Sequence, residues 1–65
     1  MHLEKLKMKL EHWAQHNDSH SSNIREQAEE AGKMGLQEIR DELLSAAEAM
    51  DSAGNHIRRA MGKLQ

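Results

Sequence analysis

Apolar residues recur along this chain at alternating steps of three and four, in two blocks parted by a glycine pair. That spacing leaves few folds open. In the first block Leu3, Leu6, Leu10, Trp13, Asn17, His20, Ile24, Gln27, Ala31 and Met34 keep one heptad phase without a slip. Its middle is polar at Asn17, His20 and Gln27, which costs stability, and Asn17 there reads as a device for register and oligomer state or as a helix cap. Trp13 at a seam position reads as core. In the second block Leu36, Leu43, Met50, Ile57 and Leu64 follow at intervals of seven, with Ile39, Ala46, Ala53 and Ala60 between them. The small residues of that second seam would let a neighbouring helix come close. Gly32 and Gly35 bracket Lys33 and Met34, and Gly just past a periodic run is the usual helix stop.

The two blocks match in length. As helices, residues 3–34 would span about 48 Å and residues 36–64 about 43 Å, so the spacing predicts an all-α antiparallel hairpin that turns near Gly35. Facing residue numbers would then add to about 70. On that register Trp13 lies near Ile57, Gly54 lies near His16, and His56 faces residue 14. One stretch opposes a continuous first helix: Asn17-Asp18-Ser19-His20-Ser21-Ser22-Asn23 is rich in residues that prefer caps and turns, and Asn23 with Glu26 resembles a capping box. The runner-up is therefore a three-helix bundle with arms over 2–16, 18–34 and a long third helix over 36–64. A heptad phase that runs unbroken through 17–23 favours the hairpin.

Composition agrees with helices and limits the chain to one small domain over residues 1–65. Pro and Cys are absent, Trp13 is the only aromatic residue besides the histidines, and Ala, Glu, Lys, Leu, Gln and Met dominate. No disulfide or thiolate zinc site is available to hold so short a chain, which buries only about 60% of its unfolded surface. A lone hairpin also leaves one flank of each seam uncovered. The expectation is a homo-oligomer, a dimer that closes a four-helix bundle.

Chemistry concentrates in His12, His16 and His20, which recur at four-residue spacing and stack on one helical face with Cβ atoms about 5–6 Å apart. Neighbouring members of that stripe can grip one ion from adjacent turns. All three cannot, because His12 and His20 are about 12 Å apart along the axis. A full site needs another ligand, and His56 brought across the hairpin to His16 is the sharpest candidate, with His12 or His20 third. Neutral nitrogen ligands suit Zn, Ni or Cu, and Met8, one turn upstream, would favour reduced copper. The leading function is thus a small protein that binds a divalent transition metal through His12, His16, His20 and His56. The alternative is a non-catalytic helical interaction or assembly module without metal.

Other classes find little support. There is no nucleophilic Cys, no G-x-S-x-G elbow, no phosphate-binding glycine loop and no H-E-x-x-H pair, so no enzyme is expected. No His follows any Glu by three residues, which argues against a di-iron carboxylate bundle. No apolar run approaches the roughly 20 residues of a membrane span, and residues 1–13 alternate charge with Leu, so no membrane partner and a cytoplasmic location are expected. Residues 17–51 hold nine acids against three bases, while residues 1–16 and 52–65 hold six bases against two acids. That basic end, without base-stacking aromatics, reads as solvated surface and not as a nucleic-acid footprint.

The run His12, Trp13, His16, Asn17, His20 resembles an H-W-x-x-H-N-x-x-H signature found in short helical proteins from prokaryotes, where it opens an acidic, Ala-rich helical remainder. The resemblance implies a small helical fold and a His-centred role. It brings no established activity with it.

Overall fold

The computed structural model describes residues 3–64. Helix α1 runs Leu3–Lys33 and helix α2 runs Gln37–Gly62, packed against each other as an antiparallel hairpin that extends 53 × 14 × 10 Å. Every regular element among the described residues is helical.

The turn forms where the glycines predict it. Leu36 N–H reaches back to the Ala31 carbonyl at 2.9 Å and Gly35 N–H to the Gly32 carbonyl at 3.1 Å, which is the Schellman pattern of a helix C-terminus. That pattern needs a left-handed residue, and Gly35 supplies it with φ +79°. Helix α2 then starts directly, with Arg40 N–H donating to the Leu36 carbonyl at 3.0 Å and no side-chain cap at Leu36.

Helix α1 passes unbroken through residues 17–23, so the three-helix alternative does not form. The reason lies in where the cap-forming side chains place their polar groups. Asn17 Nδ2 donates across the hairpin to the Met50 carbonyl, and the Ser21 hydroxyl donates to Asp51 Oδ1 at 2.6 Å with the Ala47 carbonyl 3.4 Å away. Groups satisfied by the opposite helix do not compete with the backbone of their own.

The contact between the helices is made of small residues. Its fully buried members are Ala14, Ser21, Ala28 and Ala31 on α1, with Ala47 and Gly54 on α2, and no large side chain is fully buried. Leu10, Asn17 and Ile24 lie half-buried between the small residues of α1, as do Arg40, Leu43, Met50, Ile57 and Met61 along α2. The seam read from the sequence is therefore half right. Its positions 10, 17, 24 and 31 and 43, 50, 57 and 64 do face the opposite helix. The alternate positions shift by one residue, to Ala14, Ser21 and Ala28 in place of Trp13, His20 and Gln27, and to Arg40, Ala47, Gly54 and Met61 in place of Ile39, Ala46, Ala53 and Ala60.

Trp13, expected in the core, is 52% exposed. The physical cause is the closeness of the backbones. A Cβ added to Gly54 would lie 3.0 Å from Asn17 Nδ2, so nothing the size of an indole fits between the helices at this level. Gly54 thus makes room for the Asn17 side chain and not for His16. Asn17 against Gly54 and Gly32 against Arg40 place the register within two residues of that expected from a turn at Gly35.

Candidate functional site

In an antiparallel pair the edge positions of the two helices meet like with like, so each flank of the hairpin draws on the same heptad position from both. One flank carries Asp18 and Arg25 from α1 and Asp51 and Arg58 from α2. The Arg58 guanidinium donates to Asp18 Oδ2, and the Arg25 guanidinium donates to Asp51 Oδ2. The Ser21 hydroxyl, followed by the Arg25 guanidinium, holds the Asp51 carboxyl below its ordinary value of 3.8. This network was not anticipated. Its signal was present, since both helices carry opposite charges seven residues apart at one heptad position.

The other flank has no such pairing. It takes Leu6, Trp13, His20 and Gln27 from α1, Met34 from the turn, and Ile39, Ala46, Ala53 and Ala60 from α2, all exposed. Ile39 is 51% exposed and Met34 72%. These are the alternate seam positions that the hairpin contact leaves out, gathered on one side because the register sends them there.

The histidine stripe borders this open flank. The His12 and His16 ring centroids are 5.3 Å apart and tilted by 32°, and those of His16 and His20 are 5.1 Å apart and near edge-on at 69°. The three rings form a ladder along an unbroken helix, as four-residue spacing dictates. With Trp13, Asn17 and Ile57 they line an open groove of about 470 Å³. Trp13 and Ile57 are thus brought together as the register predicts.

His56 sits exposed on α2 and does not line this groove. Both His16 and His56 fall one heptad step outside the edge positions of their helices, so their directions diverge across the width of the hairpin. Among the described residues no three of His, Cys, Asp and Glu form a group placed to hold a metal ion. A single hairpin therefore offers neighbouring pairs of imidazoles, His12 with His16 or His16 with His20, and does not assemble the cross-hairpin trio built on His16 and His56. Met8, 68% exposed on the same helix, lies outside the groove lining. No helix among the described residues is long and apolar enough to cross a membrane.

A family model described as Domain of unknown function (DUF8180) matches residues 6–64, and the chain belongs to that family. No curated protein and no solved structure matches it.

Proposed function

We propose that this member of the DUF8180 family is a non-catalytic helical assembly module, and that the surface it assembles through is the open flank of its own hairpin, taken by a second copy to close a four-helix bundle. The observation that carries the reading is the division of the apolar residues. The fully buried positions of the hairpin contact are Ala, Ser and Gly, with Leu10, Ile24, Leu43, Met50 and Ile57 half-buried beside them, while Trp13, Ile39, Leu6 and Met34 are exposed on one side. Burying an Ala methyl contributes about 0.8 kcal/mol, against about 1.5–3 kcal/mol for a Leu- or Ile-sized side chain. The folded monomer thus leaves several of its largest apolar side chains exposed, and large apolar side chains gathered on one side point to an interaction site.

A second copy supplies what the flank lacks. The stripe alternates large residues on α1 with Ala on α2, so it offers both ridges and hollows to an identical surface, and a two-fold contact is self-complementary by construction. Sedimentation equilibrium of the chelator-treated full chain tests the reading. The expected result is a concentration-dependent dimer that Trp13→Glu dissociates. A wild-type chain that stays monomeric throughout the accessible concentration range would overturn it.

A further inference from the structure

The histidine ladder can be placed against that assembly. His16 and His20 lie one helical turn apart with ring centroids at 5.1 Å, so both imidazoles can turn onto one ion between them. Two nitrogens do not complete a zinc site, which takes four ligands in tetrahedral arrangement with nitrogens at about 2.0–2.1 Å. Among the described residues of one chain no third ligand is at hand.

Two independent observations say where the missing pair comes from. The first is position along the helix. Helix α1 is described over Leu3–Lys33, that stretch is centred on residue 18, and His16 and His20 flank this centre. Two hairpins stacked with their open flanks together, head to tail and fully overlapped, place a two-fold axis beside that midpoint. The axis brings His16 and His20 of one copy opposite His20 and His16 of the other. The helical wheel selects the same two residues. His20 shares its heptad position with Leu6 and Trp13 on the open flank and His16 lies next to it, while His12, which also lines the groove, stands a further turn away from residue 18.

The second observation is charge, which selects the head-to-tail orientation. The terminal end of the hairpin bears Lys5, Lys7, Lys9, Arg58, Arg59 and Lys63 against two acids, while residues 17–51, around the turn, carry nine acids against three bases. Head to tail, the basic end of each copy lies over the acidic end of the other. Head to head, like would lie on like.

The geometry points to a Zn(II) site shared between two copies of this chain, formed by His16 and His20 of each at the dimer two-fold, an inference that rests on the self-assembly proposed above. Zn(II) is the ion of choice because it has no geometric preference of its own and accepts the four nitrogens that two facing helices present, and neutral imidazole is a ligand it takes readily. Because the site exists only in the dimer, zinc binding and dimerisation reinforce each other.

The test is a calorimetric titration of the chelator-treated full chain with Zn(II), paired with sedimentation of the same samples. One zinc per two chains is expected, with the dimer dissociation constant lowered by zinc. The His16→Ala/His20→Ala variant should lose zinc affinity by about 100-fold or more, beyond the range seen for removing outer-shell partners alone, and the His12→Ala/His56→Ala variant should keep it. Circular dichroism should show both variants as helical as the wild type, since the substituted positions are exposed.

One zinc per chain without a change in mass, or affinity retained by His16→Ala/His20→Ala, overturns the shared site. A chain that is dimeric in chelator and takes up no zinc overturns the site while leaving the assembly reading in place. A chain that stays monomeric with and without zinc overturns both. A chain that is monomeric in chelator and dimeric with one zinc per pair overturns assembly through the apolar flank alone while supporting the shared site.

Discussion

Along one flank of the hairpin Asp18 and Arg25 of α1 meet Arg58 and Asp51 of α2, each charge answered by its opposite. Along the other, Leu6, Trp13 and His20 share a side with Ile39, Ala46 and Ala53, and all of them are exposed. Equivalent heptad positions of the same two helices thus make a closed edge and an open one. The ion pairs are exposed, and pairs of that kind are worth about 0.2–1 kcal/mol each, so they set the register more than they add stability. The open edge holds the side chains whose burial would contribute most. In a chain this short, the contact inside the monomer achieves closeness of approach through small residues, and the side chains with the most burial still to gain remain exposed.

Substitutions on and between the two edges should have unequal effects. The largest comes from the seam between the flanks. Ala47 is fully buried against α1, so Ala47→Leu overpacks a contact between close backbones and should cost about 1–3 kcal/mol. Thermal unfolding would register it as a lowered midpoint, and an unchanged midpoint would mean that the helices separate at little cost.

The next test is on the open flank. Trp13→Glu should weaken the dimer by about ten- to a hundredfold, since each of the two copies loses the burial of about half a side chain, roughly 1.5–3 kcal/mol in all expressed as a dissociation constant. The helicity of the monomer should be unaffected, since Trp13 takes no part in the buried seam. If the variant unfolds instead, the flank belongs to the monomer's own stability.

On the closed flank the effects are smaller. Ser21→Ala removes the hydroxyl that donates to Asp51 at 2.6 Å and should cost about 1 kcal/mol in chemical denaturation. Reversing the Asp18 and Arg58 pair singly, by Asp18→Arg or Arg58→Asp, should cost no more than about 1 kcal/mol, and the doubly reversed chain should recover it. Salt should flatten the difference if it is electrostatic.

Asp51 adds a pH dependence with a definite sign. Its carboxyl is held below 3.8, by the Ser21 hydroxyl first and Arg25 second, so the folded state binds that proton less readily than the unfolded chain. The resulting stability is fully present above the ordinary carboxylate value and is lost as pH falls below it. Acid titration of the unfolding midpoint should show this loss in the wild type and less of it in Asp51→Asn, which has no proton to take up there.

Much of the candidate site was legible before the fold was known. Four-residue spacing places His12, His16 and His20 in a ladder on any helix, and the ring separations of 5.3 and 5.1 Å follow from that alone. The cross-hairpin partnership of His16 with His56 was not legible. It depends on where two side chains at the same level point around their helices, and sequence distance carries no information about that angle. Trp13 was misplaced for a related reason, since an aromatic residue on a seam reads as core until the spacing of the backbones is known.

From the sequence alone come the two helices, the turn at Gly35, the antiparallel register and the continuous phase of the apolar stripe, because periodicity and chain length fix each of them locally. The stripe on each helix, however, is three heptad positions wide, and a single opposing helix covers two. Only the tertiary structure decided which two, and it decided on the pair that includes Ala14, Ser21, Ala28, Ala47 and Gly54. Small side chains allow the backbones the closest approach, and the large residues of the third position are then left on the outer edge.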